Sequence, residues 1–154
     1  MFDKEYVFKG KHANMVDTLM NKQSGLLGLC GKTDLRDIHK LADEKHDENA
    51  ILARKILIRS IKKTLGAFFF LLEGKVDALI FSAGIGENDS LVRQGVVEGL
   101  EGLGISLDQE KNAKRSGEER CISTPNSKVS ILVLPTNEEL QIALTAQEVL
   151  NNAK

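Results

Sequence analysis

Two cysteines, two prolines and three histidines in 154 residues leave little material for several kinds of chemistry. Cys30 and Cys121 do not make a disulfide scaffold or a metal knuckle. Both read as small apolar residues destined for burial. His12, His39 and His46 stand in polar surroundings, with nothing nearby to complete a catalytic triad or a metal set. There is no Pro-rich linker, internal repeat or low-complexity tract. The sequence therefore reads as a single domain over residues 1–154. An excess of either charge is also missing, since 21 Lys+Arg stand against 22 Asp+Glu for a net charge of −1. That balance supplies no basic footprint for nucleic acid. The longest apolar runs, such as Ala67 to Leu72, fall far short of the roughly 20 residues that span a bilayer, so no membrane partner is expected. Met1-Phe2-Asp3-Lys4-Glu5 is too charged for a secretory signal, and the expected compartment is the cytoplasm. What remains is ordinary soluble-domain material, 42% hydrophobic and 28% charged.

Periodicity organises that material. Met15, Val16, Leu19 and Met20 make a short helical stripe over 14–23, with Asn14 as its cap. The glycines of Ser24-Gly25-Leu26-Leu27-Gly28-Leu29-Cys30-Gly31 predict a loop or short extended piece. Thr33 or Asp34 caps a helix over 35–44, with Leu35, Ile38 and Leu41 on one face. A charged connection follows. Ile51, Ile58, Ile61, Leu65, Phe68 and Leu72 then predict one long helix with a buried stripe, stopped at Gly74. Residues 76–81 have the pattern of a buried strand. A glycine loop at 84–88, a helix from about 89 to 101, a short polar helix over 108–115, strands at 121–124 and 129–134, and a closing helix over 137–150 complete an α/β order.

Three segments carry candidate chemistry. In Ser82-Ala83-Gly84-Ile85-Gly86-Glu87-Asn88, a strand feeds glycines and a helix start, which suits close approach of backbone to an anion or nucleotide. Asp89 stands where a dinucleotide fingerprint has its third glycine, and no Walker lysine follows. The competing reading is a tight β–α turn capped by Asn88, Asp89 or Ser90. In Pro135-Thr136-Asn137-Glu138-Glu139, Thr136 and Glu139 have capping-box spacing. Glu138 is left over at a strand's C-terminal end, where a carboxylate can serve Mg²⁺ or simply favour a helix N-terminus. In Asp34-Leu35-Arg36-Asp37, Arg36 can meet a phosphate or a base, or form a surface ion pair with its acidic neighbours.

Together with Asn21-Lys22-Gln23-Ser24-Gly25-Leu26-Leu27-Gly28 and Ile122-Ser123-Thr124-Pro125, these segments resemble the acetate kinase family in order and spacing, from about Met15 to Leu150. Residues 1–14 match poorly. The resemblance implies the C-terminal nucleotide-binding lobe of an actin-like, ribonuclease H-like ATPase fold. It implies transfer of a phosphoryl group between ATP and acetate, giving ADP and acetyl phosphate, with Mg²⁺ or Mn²⁺. It assigns nucleotide binding to Asp34, Leu35, Arg36, Gly84, Ile85, Gly86, Glu87 and Asn88, the metal to Glu138, and a structural role to Glu139. No catalytic residue is assigned. The family's phosphate-binding strand-turn, substrate arginine, catalytic aspartate, and phosphoryl-stabilising histidine and arginine have no match. The expectation is that this chain alone is inactive. It would complete a site with a separate N-terminal chain, or remain an inactive adenine-nucleotide-binding module. The family also implies a homodimer. A valine at Gly86 is expected to block ATP without disturbing the fold.

Overall fold

The computed structural model of the chain describes residues 11–152, with side chains from residue 15 onward. These residues form two compact units, divided between Ile61 and Lys62.

The first unit is helical: α1 (Lys11–Thr18), a π-helical turn (Leu19–Gln23), α2 (Gly25–Cys30), α3 (Leu35–Glu44) and the start of α4 (Glu48–Leu71). Asp34 caps α3 by accepting a hydrogen bond from the Arg36 amide at 2.9 Å. Leu35, Ile38 and Ala42 are buried at helical spacing, whereas Leu41 is half-buried. Asp47 caps α4 by accepting from the Ala50 amide at 2.8 Å. Arg54 of α4 donates to Asp43 of α3 at 2.9 Å, which ties the two helices together.

Two expectations fail in this unit. Asn14 lies inside α1 and is not its cap, and Met15, Val16, Leu19 and Met20 are all exposed. The glycine-rich stretch 25–30 is a helix. Gly25 and Gly31 take positive φ at its two boundaries, so they delimit a helix instead of abolishing one.

In the second unit α4 ends where the Gly74 amide donates to the Phe69 carbonyl at 2.9 Å. Then come β1 (Ala78–Ser82), α5 (Ala83–Asn88), α6 (Ser90–Val97), a 3₁₀ turn (Glu101–Leu103), α7 (Gln109–Ala113), β2 (Arg120–Cys121), β3 (Ser130–Leu134) and α8 (Glu138–Asn152). The sheet order is β1-β3-β2. β1 and β3 are parallel, in register from Ala78↔Ser130 to Ser82↔Leu134, and β2 is antiparallel to β3. Ile131 and Val133 alternate with half-buried neighbours and are fully buried, as are Ile122 and Val96. This is the core of the unit.

Length and periodicity gave α4 well, but its apolar stripe is not the core. Phe68 is 57% exposed and Leu72 53%, Ile51, Ile58, Ile61 and Leu65 are half-buried, and the residues α4 buries are Ala50 and Ala53. Ile80 of β1 is likewise 53% exposed, whereas Phe81 on the opposite face of the same strand is buried. Cys121 is exposed and Cys30 only half-buried, against the expectation for both.

Ile131→Ala should cost about 2–5 kcal/mol, the range for emptying a filled aliphatic position. Phe70→Ala, at a side chain 85% exposed, should leave stability nearly unchanged. Paired denaturant melts measure both.

Candidate functional site

The parallel pairing of β1 and β3 fixes where the two glycine- and acid-bearing segments begin. Ser82 and Leu134 are register partners at the C-terminal ends of these strands. The Ser82 hydroxyl donates to the Leu134 carbonyl at 2.7 Å, locking the two ends level. α5 therefore leaves β1 beside the Pro135–Asn137 turn that leads from β3 into α8. In open α/β sheets this is the edge at which ligands bind.

The segment 84–88 is not a loop. It is the short helix α5, entered through Ala83 at φ 58° and ended at Asp89. Asp89, one of the three caps considered, caps α6 by accepting from the Val92 amide at 2.9 Å. The Asn88 side chain donates to the Gly84 carbonyl at 2.9 Å and so closes α5 on itself. The two glycines differ. A Cβ at Gly84 would meet nothing within 4 Å, so that backbone is open to a ligand. A Cβ at Gly86 would lie 3.2 Å from the Phe81 carbonyl carbon. Gly86 packs closely against the end of β1, so a side chain there must displace the Phe81 backbone or α5 by a few tenths of an ångström.

Glu87 joins the two segments. One of its carboxylate oxygens accepts from the Thr136 amide at 2.9 Å and from the Thr136 hydroxyl at 3.1 Å. The amide bond, followed by the hydroxyl bond, holds the Glu87 carboxyl below the usual glutamate range, with desolvation opposing. Thr136 is thus not the capping-box partner of Glu139. Asn137 caps α8 instead, accepting from the Leu140 amide at 3.0 Å. Glu138 opens α8 as an exposed carboxylate two residues beyond Thr136.

Arg93 braces α5 from below, and nothing in the glycine motif announced it. It is 2% exposed. One terminal nitrogen donates to the Gly86 and Glu87 carbonyls, both at 2.9 Å, satisfying groups at the end of a short helix. Its remaining bonds go to Asn112, through the side-chain oxygen and the carbonyl, both at 2.8 Å. Burial pushes its pKa down, the nearby Arg120 charge adds to that, and Asp89 opposes it. The available signal was a lone arginine in the apolar run Leu91-Val92-Arg93.

In the first unit, Asp34 and Arg36 form an ion pair as well as the α3 cap, with Arg36 Nε at 3.0 Å from Asp34. The Arg36 hydrogen bonds lower the Asp34 pKa to about 2. The bland reading of this segment is therefore realised, and the Arg36 side chain is still 86% exposed. Leu35 is buried, so a ligand there meets its backbone alone. His39 lies 3.4 Å from Arg54, and the His12 side chain lies outside the described residues.

Among the described residues no group of three or more His, Cys, Asp or Glu could hold a metal ion. Glu138 supplies one carboxylate. That does not make an all-protein cage, but it does fit a hard cation that takes most of its ligands from phosphates and water. Among those residues, no helix is long and apolar enough to cross a membrane.

The arrangement of helices and a small mixed sheet is the actin-like ATPase fold of the chain's structural neighbours. The chain is similar to the crystal structure of Porphyromonas gingivalis acetate kinase, with a TM-score of 0.79, 38% identity and coverage of 93% of this chain and 35% of that one. It is similar to a propionate kinase from Francisella tularensis at a TM-score of 0.75 and 36% identity, covering 93% of this chain and 37% of that one. In sequence it is 61% identical to an acetate kinase of Desulfovibrio desulfuricans over 142 residues, which is 92% of this chain and 35% of that protein. The Acetokinase family matches residues 6–144, and the chain belongs to that family. That match begins inside the 1–14 stretch read from sequence as a poor one. The chain spans about a third of the length of the relatives it matches.

Two outcomes are expected. The Glu87 carboxyl, followed by carbon NMR, should titrate below the ordinary glutamate midpoint of about 4.3, and Thr136→Val should move it back up. Because the folded pKa is depressed, the latch contributes fully above the ordinary midpoint and is lost as pH falls through the folded value. Arg93→Met should destabilise the chain by about 2–3 kcal/mol or more, since Asn112 and two carbonyls lose their donor. A melt within 0.5 kcal/mol of the parent, roughly the range of surface changes, would remove Arg93 as a brace.

Proposed function

We propose that these residues form the nucleotide and metal side of an acetate kinase, acting in phosphoryl transfer between ATP and acetate. The observation that carries this reading is the level ending of β1 and β3, tied by Ser82 and latched through Glu87 to Thr136. It sets the open backbone at Gly84 beside the turn that carries Glu138. Phosphoryl transfer is largely positioning plus charge neutralisation, so backbone cradles and a metal carboxylate are the parts such a lobe would supply.

In this proposal Gly84, Ile85 and Asn88 approach the nucleotide, and Arg36 engages its base or a phosphate from the α3 start. Gly86 and Glu87 act by holding α5 in place. Glu138 would hold Mg²⁺ or Mn²⁺ shared with the phosphates, and the ion would neutralise phosphate charge when bound. The 154 residues include no group we assign to the transferring phosphoryl itself. A polypeptide of these residues is therefore proposed to bind ATP or ADP without turnover, and to need a second chain or segment for activity. We read the sequence as one functional lobe of a cytoplasmic enzyme that pairs as a homodimer, following the family.

Calorimetry with ATP, with and without Mg²⁺, tests the reading. Glu138→Ala should abolish the Mg²⁺-dependent gain in affinity, and Arg36→Ala should weaken ATP about tenfold, the effect of one charge-assisted bond. Gly84→Ala is the clean steric probe, since its Cβ meets no protein atom. A hydroxamate assay should detect no acetyl phosphate from this chain alone. Turnover would refute the inactivity, and an unchanged Glu138→Ala affinity would remove that residue.

A further inference from the structure

Among the described residues, three that are not glycine take positive φ: His46, Glu73 and Ala83. A β-carbon in that region crowds its own backbone, so the conformation persists only where the surroundings impose it. His46 and Glu73 stand just past the C-terminal ends of α3 and α4, where a left-handed residue is a common way to end a helix. Ala83 stands elsewhere. It follows β1 and opens α5 at φ 58°, directly after Ser82 in extended backbone at φ −146°. The chain turns from strand to helix within these two residues.

The turn is held on both sides. The Ser82 hydroxyl fixes the strand end to the Leu134 carbonyl. Beyond the turn, Arg93 holds the Gly86 and Glu87 carbonyls, and Glu87 reaches Thr136. The Thr136 amide is the largest cause of the low Glu87 pKa, and the Ala83 amide adds to it. The Glu87 carboxylate therefore acts back on the turn residue as well as across to α8. The Ala83 side chain is exposed, so its methyl group fills no core space. What the methyl does is restrict the backbone, since glycine would reach this φ freely and many others besides.

We infer that Ala83 is a positioning residue, a strained alanine whose β-carbon narrows the directions α5 can take from β1 and so pre-sets the open Gly84 backbone for its ligand. The inference rests on the nucleotide reading proposed above, with Ala83 acting through α5 and not by touching the nucleotide. A segment ordered before binding loses less freedom on binding, which raises affinity. Strain kept at such a segment lowers stability in the same measure.

Ala83→Gly tests this, because a merely structural residue would move stability and affinity together. The melting temperature should rise by about 2–4 °C as the strain is relieved. ATP affinity, by calorimetry, should fall about three- to tenfold as one backbone unit regains freedom. The Glu87 carboxyl, followed by carbon NMR, should titrate closer to the ordinary glutamate midpoint as α5 loosens. Ala83→Ser keeps the β-carbon and should bind ATP like the parent. A lower melting temperature for Ala83→Gly, ATP binding as tight as the parent's, or equal weakening by Ala83→Ser would overturn the inference. If the parent chain binds no ATP, the nucleotide reading falls, and the melting temperature and the Glu87 titration still decide whether Ala83 is strained and holds α5.

Discussion

The second unit depends on the level pairing of two parallel strands. Ser82 and Leu134 meet as partners, and the Ser82 hydroxyl bonds the Leu134 carbonyl. Everything that follows each strand inherits that alignment. α5 starts beside the Pro135–Asn137 turn because the strands end together, and Glu87 then reaches across to Thr136. A carboxylate accepting an amide and a hydroxyl is a charge-assisted contact, stronger than a neutral one. It couples a segment built from glycines, which has little side-chain packing of its own, to the start of a fifteen-residue helix.

The same segment is held from its other side by a buried cation. A six-residue helix satisfies few of its own carbonyls. Arg93 supplies donors to two of them, and Asn112 holds Arg93 in turn while donating its amide to the Ser90 carbonyl at 2.9 Å. Polar bonds to backbone therefore do for α5 what apolar packing does for β3. This arrangement explains how two glycines in one motif can have opposite duties. Gly84 faces open space, and Gly86 sits against the Phe81 backbone because the brace and the latch draw α5 onto β1.

Local signals were legible in the sequence where one residue decides the outcome. Asp34 caps α3, Gly74 ends α4, and the run at 129–134 forms a strand. Signals failed where a distant partner decides. Thr136 and Glu139 have capping-box spacing, yet Thr136 is taken by Glu87, 49 residues away, and Asn137 takes over the cap. Gly25, Gly28 and Gly31 look like helix breakers, but the outer two supply the positive φ that begins and ends a helix. The stripe of α4 gives the helix and its amphipathic face. It does not say what covers that face, so Phe68 and Leu72 remain exposed. Two of the motifs that placed the chain in its family, at 82–88 and 135–139, lie along the strand-end edge of the second unit. The residues that support them, Arg93 and Asn112, lie behind it and carry no motif.

Net charge shows the same division between local and global information. A balance of −1 over the chain argues correctly against a broad basic face, since such a face would need a surplus. It says nothing about a cavity a few ångströms wide. Around Arg93 and Arg120 four cations gather beside the Glu87 carboxylate, and Asp89 also acts on Arg93. Screening confines each charge's influence to about a Debye length, roughly 8–10 Å at ordinary salt. The acids that matter to these cations are therefore the adjacent ones, Glu87 and Asp89. Chain-wide neutrality and a local cluster of cations are compatible.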